Sequence, residues 1–231
     1  MRIIGLVGGT GWISTVEYYR IINQEMNRRL GRLQFAECIL YSLNFGDVVE
    51  LKDGGREPDI FFLIRDAAKK VEGAGAQCIV ICANTMHKFA EAVQAELTIP
   101  IIHIAEATGA AIEKKGMTTV GLLGTKPTME LDFYKKKLRE RGIATIVPEA
   151  EDRDFVDDTI MKEILRGILN PTSRDRFLGI IRALHARGAE GIVLGCTEIP
   201  LLVKQEHADL PLFDTLTIHA HAAVDFAVGG D

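Results

Sequence analysis

Two segments of the chain recur, in the same order, about half a chain length further along. Residues 75–85 (GAQCIVICANT) align without a gap with residues 188–198 (GAEGIVLGCTE), 113 positions later. Upstream, residues 4–9 (IGLVGG) align with residues 120–125 (VGLLGT), 116 positions later. Strings of glycine and apolar residues also match by chance, because parallel strands are alike in composition. Two matches in one order at nearly one offset favour a duplication instead, and we predict two similar halves.

Short β-branched segments alternate along the chain with longer amphipathic segments. The predicted strands are Ile3–Val7, Cys38–Leu43, Cys78–Cys82, Ile101–Ile102, Thr119–Leu123, Ala144–Val147, Gly191–Leu194 and Leu212–Phe213. Helices are predicted to start at Ser14, where Ser14 and Glu17 form a capping-box pattern, and after Pro58 and Pro127. Near-continuous apolar strands that alternate with helices are typical of parallel sheets covered on both faces.

We therefore predict an α/β fold of two similar, doubly wound parallel-sheet domains related by pseudo-two-fold symmetry. The first domain is predicted to comprise residues 1–98 plus 208–231, and the second residues 99–207. In this arrangement the strand Leu212–Phe213 and the helix Asp214–Val228 pack on the first half. Ligands of such sheets bind at the carboxyl ends of the strands, so the active site is predicted in the cleft between the domains.

Composition narrows the class of protein. The 231 residues carry a net charge of −5 with no basic tract, which argues against a nucleic-acid partner and against an anionic membrane surface. The four cysteines form no CxxC pair, so neither a disulfide framework nor a zinc site is predicted. No apolar run approaches the ~18 residues of a membrane span, and the N-terminus is too short and too glycine-rich for a signal peptide. We expect a cytoplasmic protein with a small-molecule partner and no metal.

The predicted strand ends carry polar and glycine-rich turns. Gly8–Gly11 does not fit a dinucleotide fingerprint, and residues 121–126 (GLLGTK) are not a Walker A loop. Backbone N–H groups around Gly9 and Thr10, and near Thr125, would suit a carboxylate at a helix start. The alternative is that glycine only permits a tight turn there.

The two segments of the longer repeat end in candidate chemical groups. Cys196 closes an apolar strand before a predicted helix start, a setting that lowers a thiol pKa and leaves the thiol partly accessible; a buried, inert cysteine is the alternative. Glu198 is either a helix-start carboxylate or a substrate contact. Asn84 and Thr85 offer donors for a carboxylate, or they cap the following helix. His87 is expected to be satisfied within the structure.

The segments Ile81–His87 (ICANTMH) and Gly195–Glu198 (GCTE), in two repeated halves, resemble the aspartate/glutamate racemase superfamily. The likeness is strongest to its L-aspartate/glutamate, or broad amino-acid, racemase branch, and it covers essentially the whole chain. Further strings that resemble this branch are Ile4–Gly9, Trp12 with Ser14–Thr15, Glu17–Arg20, Leu122–Thr125, and Phe213–Thr215 with Ile218–His219. The resemblance implies cofactor-independent racemisation, in which two thiols flank the α-carbon and exchange protons with its two faces.

The chain departs from the family pattern at Ala83. The family's first cysteine directly precedes Asn-Thr, whereas here Ala83 stands before Asn84 and Thr85, and Cys82 lies one residue early. Adjacent side chains of an extended strand point to opposite faces, so Cys82 should face the interior unless a bulge turns it. The resembled branch often carries threonine at this position. The second acid/base is therefore left open between Cys82 and Thr85.

We predict a cofactor-independent amino-acid racemase for aspartate or glutamate, active as a homodimer, with Cys196 as acid/base. The alternatives are a one-cysteine decarboxylase or cis–trans isomerase of a dicarboxylic acid, and a catalytically silent dicarboxylate binder. Lys52, in the loop region after the second strand, is predicted to read the side-chain carboxylate, with a solvated helix-end lysine as the alternative. The predicted substrate-binding residues are Gly9, Thr10, Lys52, Asn84, Thr85, Thr125 and Thr197.

Overall fold

The computed structural model describes residues 1–229, and the chain divides into two compact units. One unit combines Met1–Ile104 with the residues from His219 onward, and the other is Ala105–Ile218. Each contains a parallel sheet with helices, so the predicted α/β class with two parallel-sheet domains is confirmed. No helix within residues 1–229 combines the length and the apolar character needed to cross a membrane.

The first unit is built on a three-stranded parallel sheet. Its elements in chain order are β1 (Ile4–Gly8), α1 (Trp12–Leu30), β2 (Cys38–Ser42), α2 (Phe45–Asp53), α3 (Ile60–Gly73), β3 (Cys78–Ile81) and α4 (Ala90–Gln94). The strand order is β2-β1-β3. The predicted strand Ile101–Ile102 is reduced to a single parallel bridge between Ile79 and Ile101.

The second unit is built on a four-stranded parallel sheet. Its elements are α5 (Ile104–Glu113), β4 (Thr119–Gly124), α6 (Lys126–Glu130), α7 (Asp132–Arg139), β5 (Ala144–Ile146), α8 (Ala150–Lys162), α9 (Pro171–Ala186), β6 (Gly191–Gly195), α10 (Ile199–Leu202) and β7 (Leu212–Asp214). The last helix, α11 (Thr215–Val228), begins in this unit and continues into the first. The strand order is β5-β4-β6-β7. The boundary between the units falls within α11, between Ile218 and His219.

The repeated segments occupy equivalent places in the two sheets. In the first unit Ile4 of β1 lies opposite Cys78 of β3. In the second, Val120 of β4 lies opposite Gly191 of β6, and these are the positions that the repeat aligns. The bridge between Ile79 and Ile101 corresponds in the same way to the pair Ile192 and Leu212. Strand order and register therefore agree between the units, as a duplication predicts.

Two local predictions are wrong. Leu212–Asp214 pairs with β6 and so belongs to the second sheet, not to the first half, because its apolar residues complete the edge beside a fully buried strand. Helix α1 begins at Trp12 after Gly11, two residues before the predicted start at Ser14, and no side chain caps it. The Ser14 hydroxyl instead donates to the Gly11 carbonyl oxygen at 2.9 Å, a bond made from within the first turn.

The helices cover strands that are apolar on both faces. β1 and β6 are buried at every position, which accounts for their near-continuous apolar sequences. Helix α3 buries Ile64, Ala68 and Val71 in the core of the first unit. The predicted helix start at Pro127 is confirmed, because Pro127 lies in the first turn of α6. The polar ends of these strands are thus held on rigid, well-packed elements.

Candidate active site

The turn after β6 places a thiol beside a carboxylate. The Cys196 Sγ donates to Glu198 Oε2 at 3.1 Å, and the Thr197 hydroxyl donates to the same oxygen at 2.8 Å. All three residues are buried, with Cys196 6% and Glu198 4% exposed. The turn is fixed locally by an N–H···O bond from Ile199 to the Cys196 carbonyl oxygen. The arrangement can store a proton and move it over a short distance.

The expected lowering of the Cys196 pKa is wrong. Burial raises the pKa of this thiol well above its usual value, and the neighbouring Glu198 carboxylate raises it further. The backbone N–H groups of Glu198 and Ile199 favour the thiolate, but their effect is smaller. Cys196 is therefore a protonated thiol, and it donates a hydrogen bond to Glu198.

The turn after β3 carries the equivalent segment of the first unit. The Cys82 N–H donates to the Val7 carbonyl oxygen at 2.8 Å, so the parallel ladder continues through Cys82. Its side chain is fully buried, which raises the thiol pKa far above the usual value and confirms the predicted inward orientation. Ala83 and Thr85 are partly exposed and Asn84 is buried. The Asn84 side chain makes no capping bond to the 3₁₀ helix Thr85–Phe89 that follows.

His87 ties this turn to the chain at the start of α5. Its Nδ1 lies 2.8 Å from the Ala83 carbonyl oxygen, and the Ile104 N–H donates to its Nε2 at 3.3 Å. A carbonyl can only accept, so Nδ1 carries the proton and the imidazole is neutral. His87 is thus satisfied within the structure, as predicted, and it fixes the backbone immediately before Asn84.

A buried cluster of aromatic side chains surrounds His87. The His87 ring centroid lies 4.8 Å from that of His103 and 5.4 Å from that of His219. The His219 Nε2 lies 2.6 Å from the Ile102 carbonyl oxygen, so it is the donor, and the Tyr18 hydroxyl donates to Nδ1 at 2.8 Å. Burial and the neighbouring His87 lower the pKa of His219 to about 3. His219 is therefore neutral at physiological pH.

We expect His219 to make the fold sensitive to acid. Its folded-state pKa of about 3 lies below the ordinary value near 6.5, so the unfolded chain takes up a proton first as the pH falls. The contribution of His219 to the free energy of unfolding is fully present above pH ~6.5. It decreases as the pH drops toward 3, by about 2 kcal/mol between pH 7.5 and 5. Urea unfolding across this range measures the slope. Glu25, whose pKa is lowered to about 2 by Arg28, acts only at lower pH.

Two variants separate this titration from packing. His219→Gln should flatten the dependence between pH 7.5 and 5. Tyr18→Phe removes the hydrogen bond to Nδ1 but leaves a buried histidine, so it should lower stability at every pH and keep most of the slope. Equal slopes in wild type and His219→Gln would contradict this assignment.

The glycine-rich turn after β1 has a backbone conformation that requires glycine at position 9. Gly9 has φ +92°, and a Cβ there would lie 2.1 Å from the Leu43 carbonyl oxygen. Its N–H donates to Thr15 Oγ1 at 3.0 Å. The amide of Gly9 is therefore already used within the turn, which supports the alternative of a tight turn, and its role in carboxylate binding stays a prediction. Thr10 is partly exposed.

Gly9→Ala is expected to lower the free energy of unfolding by about 3 kcal/mol or more. A positive φ alone costs an alanine about 1–2 kcal/mol, and here the new Cβ also overlaps backbone atoms that must shift. Gly75→Ala is the matched control, because Gly75 has φ +104° but open space around its Cβ position. Chemical denaturation of both variants gives the difference. Similar losses would show that the close approach to Leu43 is easily relieved.

The remaining predicted residues lie in different settings. Thr125 precedes α6, partly exposed, with its Oγ1 3.1 Å from Thr128 Oγ1. Lys52 is exposed in the last turn of α2. The carbonyl groups at a helix C-terminus favour a cation, so this position of a lysine is explained even if it binds no substrate. Within residues 1–229, no group of three or more His, Cys, Asp or Glu side chains is placed to hold a metal ion.

Comparison with known proteins decides the family. The sequence model of the Asp/Glu/hydantoin racemase family matches residues 7–223. The chain belongs to this family. Its relatives there are racemases, and thus isomerases, which confirms the family and enzyme class predicted from the sequence.

Individual relatives support this assignment within the racemase family. A candidate Asp/Glu racemase of known structure from Yersinia pestis is 44% identical, with a TM-score of 0.92 over 99% of this chain and 100% of the other. An aspartate racemase homologue from Pyrococcus horikoshii OT3 is 35% identical, with a TM-score of 0.83 and the same coverage of both chains. The broad specificity amino-acid racemase RacX of Bacillus subtilis is 26% identical over 70% of this chain and 69% of its own length.

Sequence reasoning missed two side-chain contacts of this racemase-family chain. Glu198 lies at the N-cap of α10, which agrees with its interpretation as a helix-start residue, but its bond to Cys196 is not predicted from the sequence. The spacing of a carboxylate two residues after a cysteine, across a turn, is a signal that could have suggested it. The pairing of Tyr18 with His219 spans 201 positions, and nothing local in the sequence indicates it.

Proposed function

We propose that this protein is a cofactor-independent racemase of aspartate or glutamate, with Cys196 as an acid/base. The observation that carries the proposal is the thiol at the end of β6, which is bonded to a buried carboxylate. A broad specificity amino-acid racemase and an aspartate racemase homologue among the relatives support the reaction class.

The proposed chemistry moves one proton at the substrate α-carbon. A thiolate at Cys196 takes the α-proton: the C–H bond breaks, an S–H bond forms, and the electron pair stays on the substrate. An acid on the opposite face then returns a proton, which inverts the centre. The carbanion is the difficult species, so hydrogen-bond donors must stabilise charge that builds on the substrate carboxylate.

We propose Asn84, Thr85, Thr10 and Thr125 as the residues that bind the α-carboxylate. Each follows a parallel strand at its carboxyl end, where ligands of α/β sheets bind. Thr197 was predicted in the same role, but its hydroxyl proton goes to Glu198. We assign it instead to orienting that carboxylate.

The second acid/base is the weak point of a two-base mechanism. Cys82 is one candidate although its thiol is fully buried with a raised pKa, because Cys196 is also buried with a raised pKa. Thr85, partly exposed directly after Asn84, is the other candidate, although a hydroxyl is a poor acid/base at neutral pH. Ala83 therefore favours one alternative, a reaction that needs a single thiol, such as decarboxylation of a dicarboxylic acid.

Proton NMR in deuterated water tests these functions directly. Each enantiomer of aspartate and glutamate is incubated with the protein, and α-proton loss is followed together with chiral chromatography. Exchange with racemisation supports the proposal. Exchange without racemisation indicates one-sided chemistry. Absence of exchange with all four substrates would contradict the racemase and direct attention to a decarboxylase, an isomerase or a dicarboxylate binder.

We also propose that Lys52 binds the side-chain carboxylate of the substrate. A cation near the distal end of the substrate would favour aspartate and glutamate over neutral amino acids. Lys52→Met is expected to lower relative kcat/KM for aspartate against alanine by about fivefold, the effect of one exposed charge contact of ~1 kcal/mol. Lys114→Met, also exposed, is the control. An unchanged ratio would leave Lys52 as a solvated helix-end residue.

The homodimer and the cytoplasmic location stay predictions. An exposed apolar stripe on α1, formed by Trp12, Val16 and Tyr19, would suit contact between two copies. Light scattering of the purified protein measures the mass in solution.

A further inference from the structure

We propose that Glu198 receives the thiol proton of Cys196, so that the two side chains work as a pair sharing one proton. The use of this pair on substrate rests on the proposed function. The pair itself is a property of the free protein, and it can be tested without any substrate.

The geometry of the turn carries this inference. The Sγ–Oε2 distance of 3.1 Å is short for a hydrogen bond from sulfur, and the two residues are separated by a single position. The Thr197 hydroxyl, 2.8 Å from the same oxygen, fixes that oxygen toward the thiol. The main chain also holds Glu198, because its carbonyl oxygen accepts from the Leu201 N–H at 3.0 Å. The carboxylate is therefore oriented toward the thiol and does not cap the short helix α10.

Burial gives the pair its use. A lone buried thiol cannot lose a proton to water without leaving an isolated charge in a poorly solvated site, which is costly. Transfer from Sγ to Oε2 breaks the S–H bond, forms an O–H bond, and keeps the total charge of the pair at −1. The amides of Glu198 and Ile199 stabilise the resulting thiolate. The active base thus forms without any change in buried charge.

The pair also fits the proposed proton transfer. When Cys196 takes the α-proton, the thiol and the Glu198 carboxylic acid are both protonated and the negative charge resides on the substrate. In the reverse direction the thiol gives its proton to the carbanion, and the carboxylic acid stabilises the thiolate by a hydrogen bond. Each step balances within the pair and the substrate, and no further group is needed on this side.

A titration of the thiol tests the pair. Thiolate absorbance near 240 nm is recorded against pH, with the Cys196→Ser protein subtracted as background. Loss of the shared proton leaves two neighbouring negative charges in wild type, the thiolate and the carboxylate, but only one in Glu198→Gln. In Glu198→Gln the thiolate should therefore form at a pH lower by about one unit or more than in wild type. Glu198→Asp keeps the charge and should stay near the wild-type midpoint. Glu206→Gln, which removes an exposed carboxylate of the same unit, is the matched control.

Turnover tests the role of the pair. If wild type exchanges the α-proton, Glu198→Gln should lower kcat by about 10²-fold with little change in KM, and Glu198→Asp should recover part of the loss. An unchanged midpoint in a folded Glu198→Gln protein overturns the pair. A shifted midpoint with unchanged kcat overturns its role. If wild type shows no exchange, the proposed function fails, but the titration still decides whether the pair exists.

Discussion

Cys196→Ser should fold as the wild type does and lower kcat for racemisation by at least about 10²-fold. A serine hydroxyl can keep the hydrogen bond to Glu198 Oε2, so the turn after β6 retains its structure. A hydroxyl is, however, a far weaker acid than a thiol, and a correctly placed acid/base contributes ~10²–10⁴-fold to rate. Steady-state kinetics with aspartate and glutamate in both directions measure the loss.

Cys38→Ser is the matched control for this loss. Cys38 is a partly buried thiol at the start of β2, the end of the strand remote from the predicted site. Its replacement changes one thiol to a hydroxyl without touching a strand end that carries polar turns. Full activity in a folded Cys196→Ser protein would exclude the thiol as acid/base.

Ala83→Cys should raise kcat/KM for racemisation by about 10²-fold if the missing first thiol is what limits the enzyme. The repeat aligns position 83 with Cys196, and β3 pairs with β1 in the same register as β6 pairs with β4. Position 83 is partly exposed and follows Cys82, whose side chain points inward. A thiol there would supply the acid/base that threonine or alanine cannot, worth ~10²–10⁴-fold when correctly placed.

Two further variants keep this prediction specific. Ala83→Ser adds a side chain of similar size without the thiol and should give little gain. Cys82→Ala should leave kcat unchanged, at the cost of some stability from the lost core volume. A large loss of kcat in Cys82→Ala would mean that Cys82 reaches the substrate after all. Absence of gain in Ala83→Cys would favour chemistry with one thiol.

The sequence predicts most strands of the two sheets because their residue patterns are periodic and repeated. The alignment of residues 75–85 with 188–198 anticipates equal places for β3 and β6. Strand alternation alone predicts the inward side chain of Cys82. These features depend on backbone geometry that repeats every two residues, so they can be obtained without knowing distant contacts.

The errors arise where side chains compete for the same groups. The capping-box pattern at Ser14 fails because Ser14 and Thr15 both donate back to the Gly11 carbonyl oxygen inside the helix. The prediction of a lowered pKa for Cys196 is wrong because a cysteine at a strand end suggests an exposed thiol. The surrounding chain instead buries this thiol beside Glu198, and both effects raise its pKa. Both outcomes depend on three-dimensional crowding and on rotamers that the residue pattern does not specify.

The division of α11 between the units has a consequence for the order of folding during synthesis. Residues 105–218 form one continuous stretch, so the second unit can close once they have left the ribosome. The first unit begins earlier but lacks the buried face of α11, formed by Ala220, Ala223, Val224 and Ala227. It also lacks the partners of the Arg2 N–H and the Tyr18 hydroxyl. The unit that is translated first is therefore the last to be completed.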